Sequence, residues 1–317
     1  MVTSTGKIAL WGAAGAVGKS VAGALDAEGL SYRVVGRNRV SLSAAFGGRS
    51  GAEIITLSEE DPASARATAR GVETLVYLVG VPYDQFRLHP VVMRQTLEAA
   101  VAEGVKRVLL IGTVYPYGLP RSVPVKEDHP REPNTFKGRM RKEAEDLLLD
   151  AEAKGQLQAA ILRLPDFYGP GVEKSFLDGL FKAAAKGGTA YMIGPIETPH
   201  QFVYVPDVGP VVTALMAHEG AWGKTWHFGG SGVATQKELA EKVFAMAGRK
   251  PKIFALGKTW LRVMGIFSPM MREMVEMNYL QTNPVVLDDS ALRALLGGVR
   301  ATSYEEGLRA SLEAARD

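Results

Sequence analysis

The sequence predicts an α/β fold, a doubly wound parallel sheet with a smaller C-terminal lobe. Three observations predict it. Short apolar runs alternate with amphipathic stretches through the first half, a Gly-x-x-Gly-x-x-Gly turn follows the first run, and the rhythm changes after Gly169. Alternating strand and helix signals make βαβ units, whose crossover helices cover both faces of a parallel sheet.

The predicted strands are Lys7–Trp11, Tyr32–Val35, Glu53–Leu57, Thr74–Val79, Arg107–Ile111 and Ala159–Leu164. Helical spacing fills Gly18–Glu28, Pro62–Arg70, His89–Glu103 and Gly138–Lys154 between them. Asp61 before Pro62 reads as an N-cap with proline at the first helical position. Glu59, Glu60 and Asp61 make an acidic turn that fits a helix start better than a catalytic carboxylate pair. Past Gly169, helical stretches dominate (Val172–Lys186, Asp207–His218, Thr235–Ala247, Tyr304–Ala315), with short strands at Ala190–Ile193, Phe202–Val205 and Lys252–Ala255. Residues 1–168, with returning segments near 202–229, are expected to form the nucleotide-binding domain. Residues 169–201 and 230–317 are expected to form the lobe over its open edge.

Composition sets the bounds. With 317 residues, 46% hydrophobic and 22% charged, the chain can bury a large core unaided. A net charge of +3, with no basic run interleaved with aromatics, argues against nucleic acid as a partner. Cysteine is absent, which excludes thiol chemistry. Neither a secretory leader nor a transmembrane span is read, so the expectation is a cytoplasmic protein with no membrane partner. The five histidines lack metal-ligand spacing and no Gly-x-Ser-x-Gly elbow occurs, so neither a metal nor a serine hydrolase is expected.

The segment from Gly12 to Gly18 carries the first chemistry. Gly12 suits a tight turn out of a strand, Gly15 a close backbone approach to a pyrophosphate, and Gly18 close helix–sheet packing. Ala16 and Val17 lead into the helix, whose unpaired N–H groups at its N-terminus favour an anion. This is the phosphate cradle of a Rossmann domain. The second strand then decides the cofactor. An NAD site wants an acid at its end. Here Val34-Val35-Gly36-Arg37 offers none, and Arg37 can fork a 2′-phosphate, which predicts NADP(H).

The chain resembles the extended short-chain dehydrogenase/reductases, the NAD-dependent epimerase/dehydratase group. The resemblance rests on Gly12-x-x-Gly15-x-x-Gly18, Gly112-Thr-Val-Tyr-Pro-Tyr117-Gly118 and Leu162-Arg-Leu-Pro165-Asp-Phe-Tyr-Gly-Pro-Gly171. Phe202-Val-Tyr-Val-Pro-Asp207 and Thr302-Ser-Tyr-Glu-Glu-Gly307 add two later matches. It implies a Ser/Thr, a Tyr and a Lys in catalysis, cofactor contacts from Val79, Gly80 and Pro165, and substrate contacts from Tyr83, Tyr115, Asp166, Phe167 and His200. It also implies a homodimer built on the two helices at His89–Glu103 and Gly138–Lys154.

The motif itself departs from the family. Thr113 takes the Ser/Thr position, with Tyr117 near it. Lys137 stands where the Tyr belongs and Arg141 where the Lys belongs. Three readings stay open. In one, Lys137 does the proton work with a pKa lowered by Arg141, one turn on, and by a nearby oxidised nicotinamide, while Arg141 holds the ribose. In another, Tyr83, Tyr115, Tyr117 or Tyr168 substitutes. In the third, the protein binds NADP(H) without catalysis, as a regulator.

The substrate expectation follows from two further departures. Many relatives carry Asn at Asp166 and Arg at His200, and a carboxylate at the first position would repel a diphosphate. Trp260–Tyr279 holds five of the eleven methionines, a composition suited to an adaptable pocket wall or equally to plain packing. The sequence therefore predicts reduction of an apolar aldehyde or ketone, with a nucleotide-sugar epimerase or dehydratase as the third choice.

Overall fold

The computed structural model describes residues 7–58, 62–173, 175–266 and 269–316. The first half runs β1 (Lys7–Trp11), α1 (Ala16–Ala27), β2 (Tyr32–Gly36), α2 (Arg39–Phe46), β3 (Ala52–Thr56), α3 (Pro62–Ala69) and β4 (Val72–Tyr77). It continues with α4 (Leu88–Ala102), β5 (Arg107–Thr113), α5 (Phe136–Ala153) and β6 (Gln158–Leu164). Next come β7 (Asp166–Tyr168), α6 (Asp178–Lys186), β8 (Ala190–Ile193), β9 (Pro199–Tyr204), α7 (Val205–Ala217) and β10 (Lys224–His227). The chain closes with β11 (Val233–Thr235), α8 (Gln236–Met246), β12 (Ile253–Leu256), α9 (Lys258–Gly265), α10 (Pro269–Met277), α11 (Tyr279–Thr282), α12 (Ser290–Leu295) and α13 (Tyr304–Ala314).

Seven parallel strands form the main sheet in the order β10-β6-β5-β4-β1-β2-β3. This is a Rossmann-like α/β fold, in which strands buried on both faces read as continuous apolar runs. Alternate residues divide between two cores. Leu10, Val34, Leu109 and Leu162 face α1 and α7, whereas Trp11, Leu75, Tyr77 and Leu110 face α4 and α5. Smaller sheets, β11-β9-β7 and β12-β8, belong to the C-terminal part, whose core gathers Phe202, Phe244 and Leu308.

Several elements differ from the expected ones. α2 begins where Asn38 accepts the Ser41 N–H at 3.0 Å, a cap on a helix too short and polar to show a period. β10, Lys-Thr-Trp-His, joins the main sheet through its backbone despite little apolar content. α6 starts at Asp178, not at Val172. Ser175 bonds the Phe167 carbonyl at 2.6 Å and accepts the Leu177 N–H at 3.1 Å, holding the preceding loop out of the helix. The Asp61 cap, with Glu59 and Glu60, lies outside the described residues. Among the described residues, no helix is long and apolar enough to cross a membrane.

Candidate active site

The strand order reverses between β1 and β4, the place where open α/β sheets form a crevice beyond their carboxyl ends. Gly12 leaves β1 with φ +88°, and its N–H donates to the Val35 carbonyl at 2.8 Å. A Cβ there would stand 2.8 Å from the Val79 backbone, so only glycine lets the exits of β1 and β4 pass this closely. A Cβ on Gly18 would lie 2.1 Å from the Ala13 carbonyl oxygen. Gly15 has open space instead, with nothing within 4 Å of such a carbon. It precedes α1 in extended conformation and supplies no side-chain cap, leaving the first-turn N–H groups around Ala16 and Val17 to meet an incoming anion. The cradle thus fits a dinucleotide pyrophosphate. Gly80, just past β4, is equally open. Pro165 follows β6 on the same carboxyl edge, and β2 ends without a carboxylate beside an exposed Arg37.

Thr113 ends β5, and its hydroxyl accepts the Tyr115 N–H at 3.4 Å. The start of α5 closes on this turn. Thr135 caps the helix through the Gly138 N–H, and Gly138 comes so near that a Cβ would lie 2.8 Å from the Tyr115 carbonyl oxygen. Lys137 is thereby brought beside Tyr83 and Tyr115, whose hydroxyls share a 2.9 Å hydrogen bond. Phe86 lies over Tyr115 with centroids 6.3 Å apart, and Lys137 Nζ and the Arg141 guanidinium each lie 5.7 Å from its ring centre.

Lys137 corrects one expectation. It is buried, and its ammonium donates to Glu273 and, at 2.6 Å, to Glu276, both on α10. Glu276 also accepts the Lys137 backbone N–H at 3.0 Å. Burial pulls the lysine pKa down, but the two carboxylates outweigh it and the net direction is up. The fall anticipated from Arg141 does not occur. Arg141 is the group shifted down, by burial, and its Nε has no hydrogen-bond partner.

The tyrosines separate by environment. Burial raises the pKa of Tyr83, and that of Tyr115 well above its ordinary value. Tyr117 is enclosed. Its hydroxyl lies 2.6 Å from His227 Nε2, and the Arg163 guanidinium sits 4.5 Å from its ring centre. Arg163 in turn makes a buried two-pronged pair with Glu145, at 2.8 and 2.9 Å, and donates to the Thr113 carbonyl at 2.5 Å. Tyr168 is sealed into the C-terminal core. Of the four phenols, Tyr83 and Tyr115 are the pair placed at Lys137.

Asp166 opens β7 beside β9, and its carboxylate lies 2.6 Å from His200 Nε2. Phe167 pairs in register with Val203 and gives its carbonyl to Ser175. The repulsive carboxylate foreseen at Asp166 is therefore a hydrogen-bonded one. Sequence reasoning missed Glu273, Glu276, Glu145 and Phe86. The spacing of Glu273 and Glu276, three apart on one helical face, is the signal that could have found the clamp. Among the described residues no cluster of His, Asp and Glu is arranged to hold a metal ion.

The model of the NAD dependent epimerase/dehydratase family matches residues 8–229. The chain belongs to that family. Solved structures similar to this family member include the UDP-glucuronic acid 4-epimerase of Bacillus cereus in complex with NAD (TM-score 0.80, 17% identity, 98% of each chain covered). The UDP-glucose 4-epimerase of Thermotoga maritima, with UDP-glucose, matches with TM-score 0.78, 19% identity and 98% of each chain. The UDP-N-acetylglucosamine 4-epimerase of Bacillus cereus matches with TM-score 0.76 and 16% identity, over 96% of this chain and 94% of that one. No curated protein matches the chain.

These neighbours overturn the expectation of a reductase of apolar aldehydes or ketones, since the chain superposes over nearly its whole length on enzymes named for nucleotide-sugars. The methionine-rich segment, open to a pocket wall or to plain packing, buries Met274 and Met277 and presents the carboxylates of Glu273 and Glu276 to Lys137.

Proposed function

We propose that this family member is a nicotinamide-dinucleotide-dependent enzyme acting on a carbinol carbon of a nucleotide-sugar. The observation that carries the reading is the match of cradle and C-terminal lobe together, over 98% of each chain, to a UDP-sugar 4-epimerase. The cradle built from Gly12, Gly15 and Gly18 would hold the pyrophosphate, with Ala16 and Val17 donating from the first turn of α1. The missing acid at the end of β2, with Arg37 beside it, favours the 2′-phosphorylated cofactor. Bound there, the dinucleotide supplies the hydride acceptor and donor.

The chain's own residues handle the proton. Thr113 hydrogen-bonds the substrate oxygen at the end of β5. As the carbinol is oxidised, its hydroxyl proton passes to Lys137 while Lys137 passes one of its own to Glu273 or Glu276. Reduction reverses both transfers. The carboxylates are needed because an ammonium with a raised pKa cannot act as a base by itself. Arg141 stays cationic beneath the ring cluster and holds the ribose end of the cofactor. Tyr83 and Tyr115 line the substrate side, and the Asp166–His200 pair meets the sugar or its phosphate.

Calorimetric titration tests the binding half. NADP+ is expected to bind more tightly than NAD+, and the dinucleotide-loaded protein to bind UDP-glucose or UDP-glucuronate. Equal affinity for both dinucleotides refutes the 2′-phosphate preference, and failure of every UDP-sugar to bind refutes the substrate class.

A further inference from the structure

One face of the C-terminal lobe lies outside the site described above. Tyr191 on β8, Phe254 on β12 and Trp260 on α9 form a row of ring contacts, with centroids 5.9 and 6.3 Å apart. Val263, three residues on from Trp260 along α9, and Ile266, just past the helix, are apolar and exposed in the same segment. All five are exposed, Ile266 by 76%, Tyr191 by 64% and Trp260 by 54%. Single exposed apolar side chains are ordinary, but five large ones gathered on a two-stranded sheet and its following helix form a patch.

The segment that carries most of the patch has charge of one sign. Between Glu241 and Glu273 the sequence holds no Asp or Glu, while Arg249, Lys250, Lys252, Lys258 and Arg262 are all exposed. Arg249 and Lys252 donate to the Ala185 and Gly187 carbonyls, which anchors them at the rim. Among the described residues none of the five pairs with a carboxylate.

We propose that this face docks peripherally on a lipid surface carrying anionic headgroups. Aromatic rings with an apolar body and a polar edge suit the headgroup level of a bilayer, and flanking cations meet anionic headgroups. Charge complementarity selects this occupant. A second copy of the chain, docked by a two-fold axis, would bring the same cations face to face. Docking leaves the catalytic cleft one helix away, since α9 packs on α10, which carries Glu273 and Glu276.

The test is co-sedimentation of the full chain with phosphatidylcholine vesicles, with and without phosphatidylglycerol, alongside tryptophan fluorescence. Trp11, Trp222 and Trp226 are buried, so a blue shift on adding vesicles reports Trp260. Binding to the anionic vesicles alone is expected, weakening with salt, together with the blue shift. Lys258→Glu/Arg262→Glu, which removes two cations and adds two anions, should lower the partition coefficient by more than about 25-fold, and Trp260→Ser/Ile266→Ser should abolish the shift. No partition of the wild-type chain into anionic vesicles overturns the proposal. So does unchanged partition of the charge-reversed variant, or a Trp260-dependent dimer in sedimentation velocity without vesicle binding.

Discussion

Glu276 grips Lys137 twice, accepting its backbone N–H at 3.0 Å and its ammonium at 2.6 Å, while Glu273 takes a second ammonium proton. The clamp fastens α10 to the first turn of α5, so the element nearest the cleft is pinned by charge as well as packing. Lys137→Met should leave two facing carboxylates without their cation. Removing one partner of a fully buried pair costs about 3–5 kcal/mol, and solvent reaching Glu273 and Glu276 reduces this to roughly 2–3 kcal/mol. A thermal scan should show a lower Tm, and Lys137→Met/Glu273→Gln/Glu276→Gln should recover part of the loss. A single variant as stable as the wild type would show that the clamp does not hold α10.

The clamp also sets a response to alkali. Because the folded-state pKa of Lys137 lies above its ordinary 10.5, the folded form binds this proton more tightly. Its contribution to stability is full below that value and is lost as pH rises through the folded pKa. Urea unfolding from neutral pH upward should show a loss above pH 10.5 that Lys137→Met lacks.

Acid acts through two histidines. Burial, with Arg141 nearby, pushes His89 down to about 2, and burial with Arg163 nearby pushes His227 down to about 3. Both stay neutral in the folded protein while the unfolded chain takes up protons near 6.5, so stability falls as pH drops below 6.5. Each histidine should remove about 2 kcal/mol by pH 5. Urea midpoints at pH 7 and pH 5 check this, and a His89→Phe variant should show a shallower decline.

The glycines of the cradle separate folding from binding. Gly18→Ala sets a carbon 2.1 Å from the Ala13 carbonyl oxygen and should lower Tm. At Gly15 a Cβ meets nothing within 4 Å, so Gly15→Val should lower Tm less than Gly18→Ala and lose dinucleotide affinity by tenfold or more, on the order of 1.4 kcal/mol. Calorimetry and a thermal scan on the two variants decide it. A Gly15→Val protein that binds normally would remove the pyrophosphate from this turn.

How much of this the sequence revealed depended on distance along the chain. β1, β2 and α1 were legible because their apolar runs and the three glycines lie within one short segment. The Lys137 clamp was not, since Glu273 and Glu276 lie 136 and 139 positions away on another helix. The anticipated pKa fall weighed Arg141, on the same helix, and an oxidised nicotinamide, but not the two carboxylates of α10. β7 and β11, three residues each, are too short for a period, and β10 is held by backbone pairing with β6 that no side-chain pattern announces. Asp166 and His200 were each legible as a departure, but their pairing was not, since they lie on different strands 34 positions apart.

The most direct test of the proposed activity is a proton NMR assay of the dinucleotide-loaded enzyme with a panel of UDP-hexoses and UDP-hexuronic acids, run beside Gly15→Val. Conversion of at least one nucleotide-sugar to an epimeric or dehydrated product is expected, with loss of turnover in the variant. A wild-type enzyme that binds dinucleotide tightly and leaves every nucleotide-sugar unchanged would contradict the proposed activity.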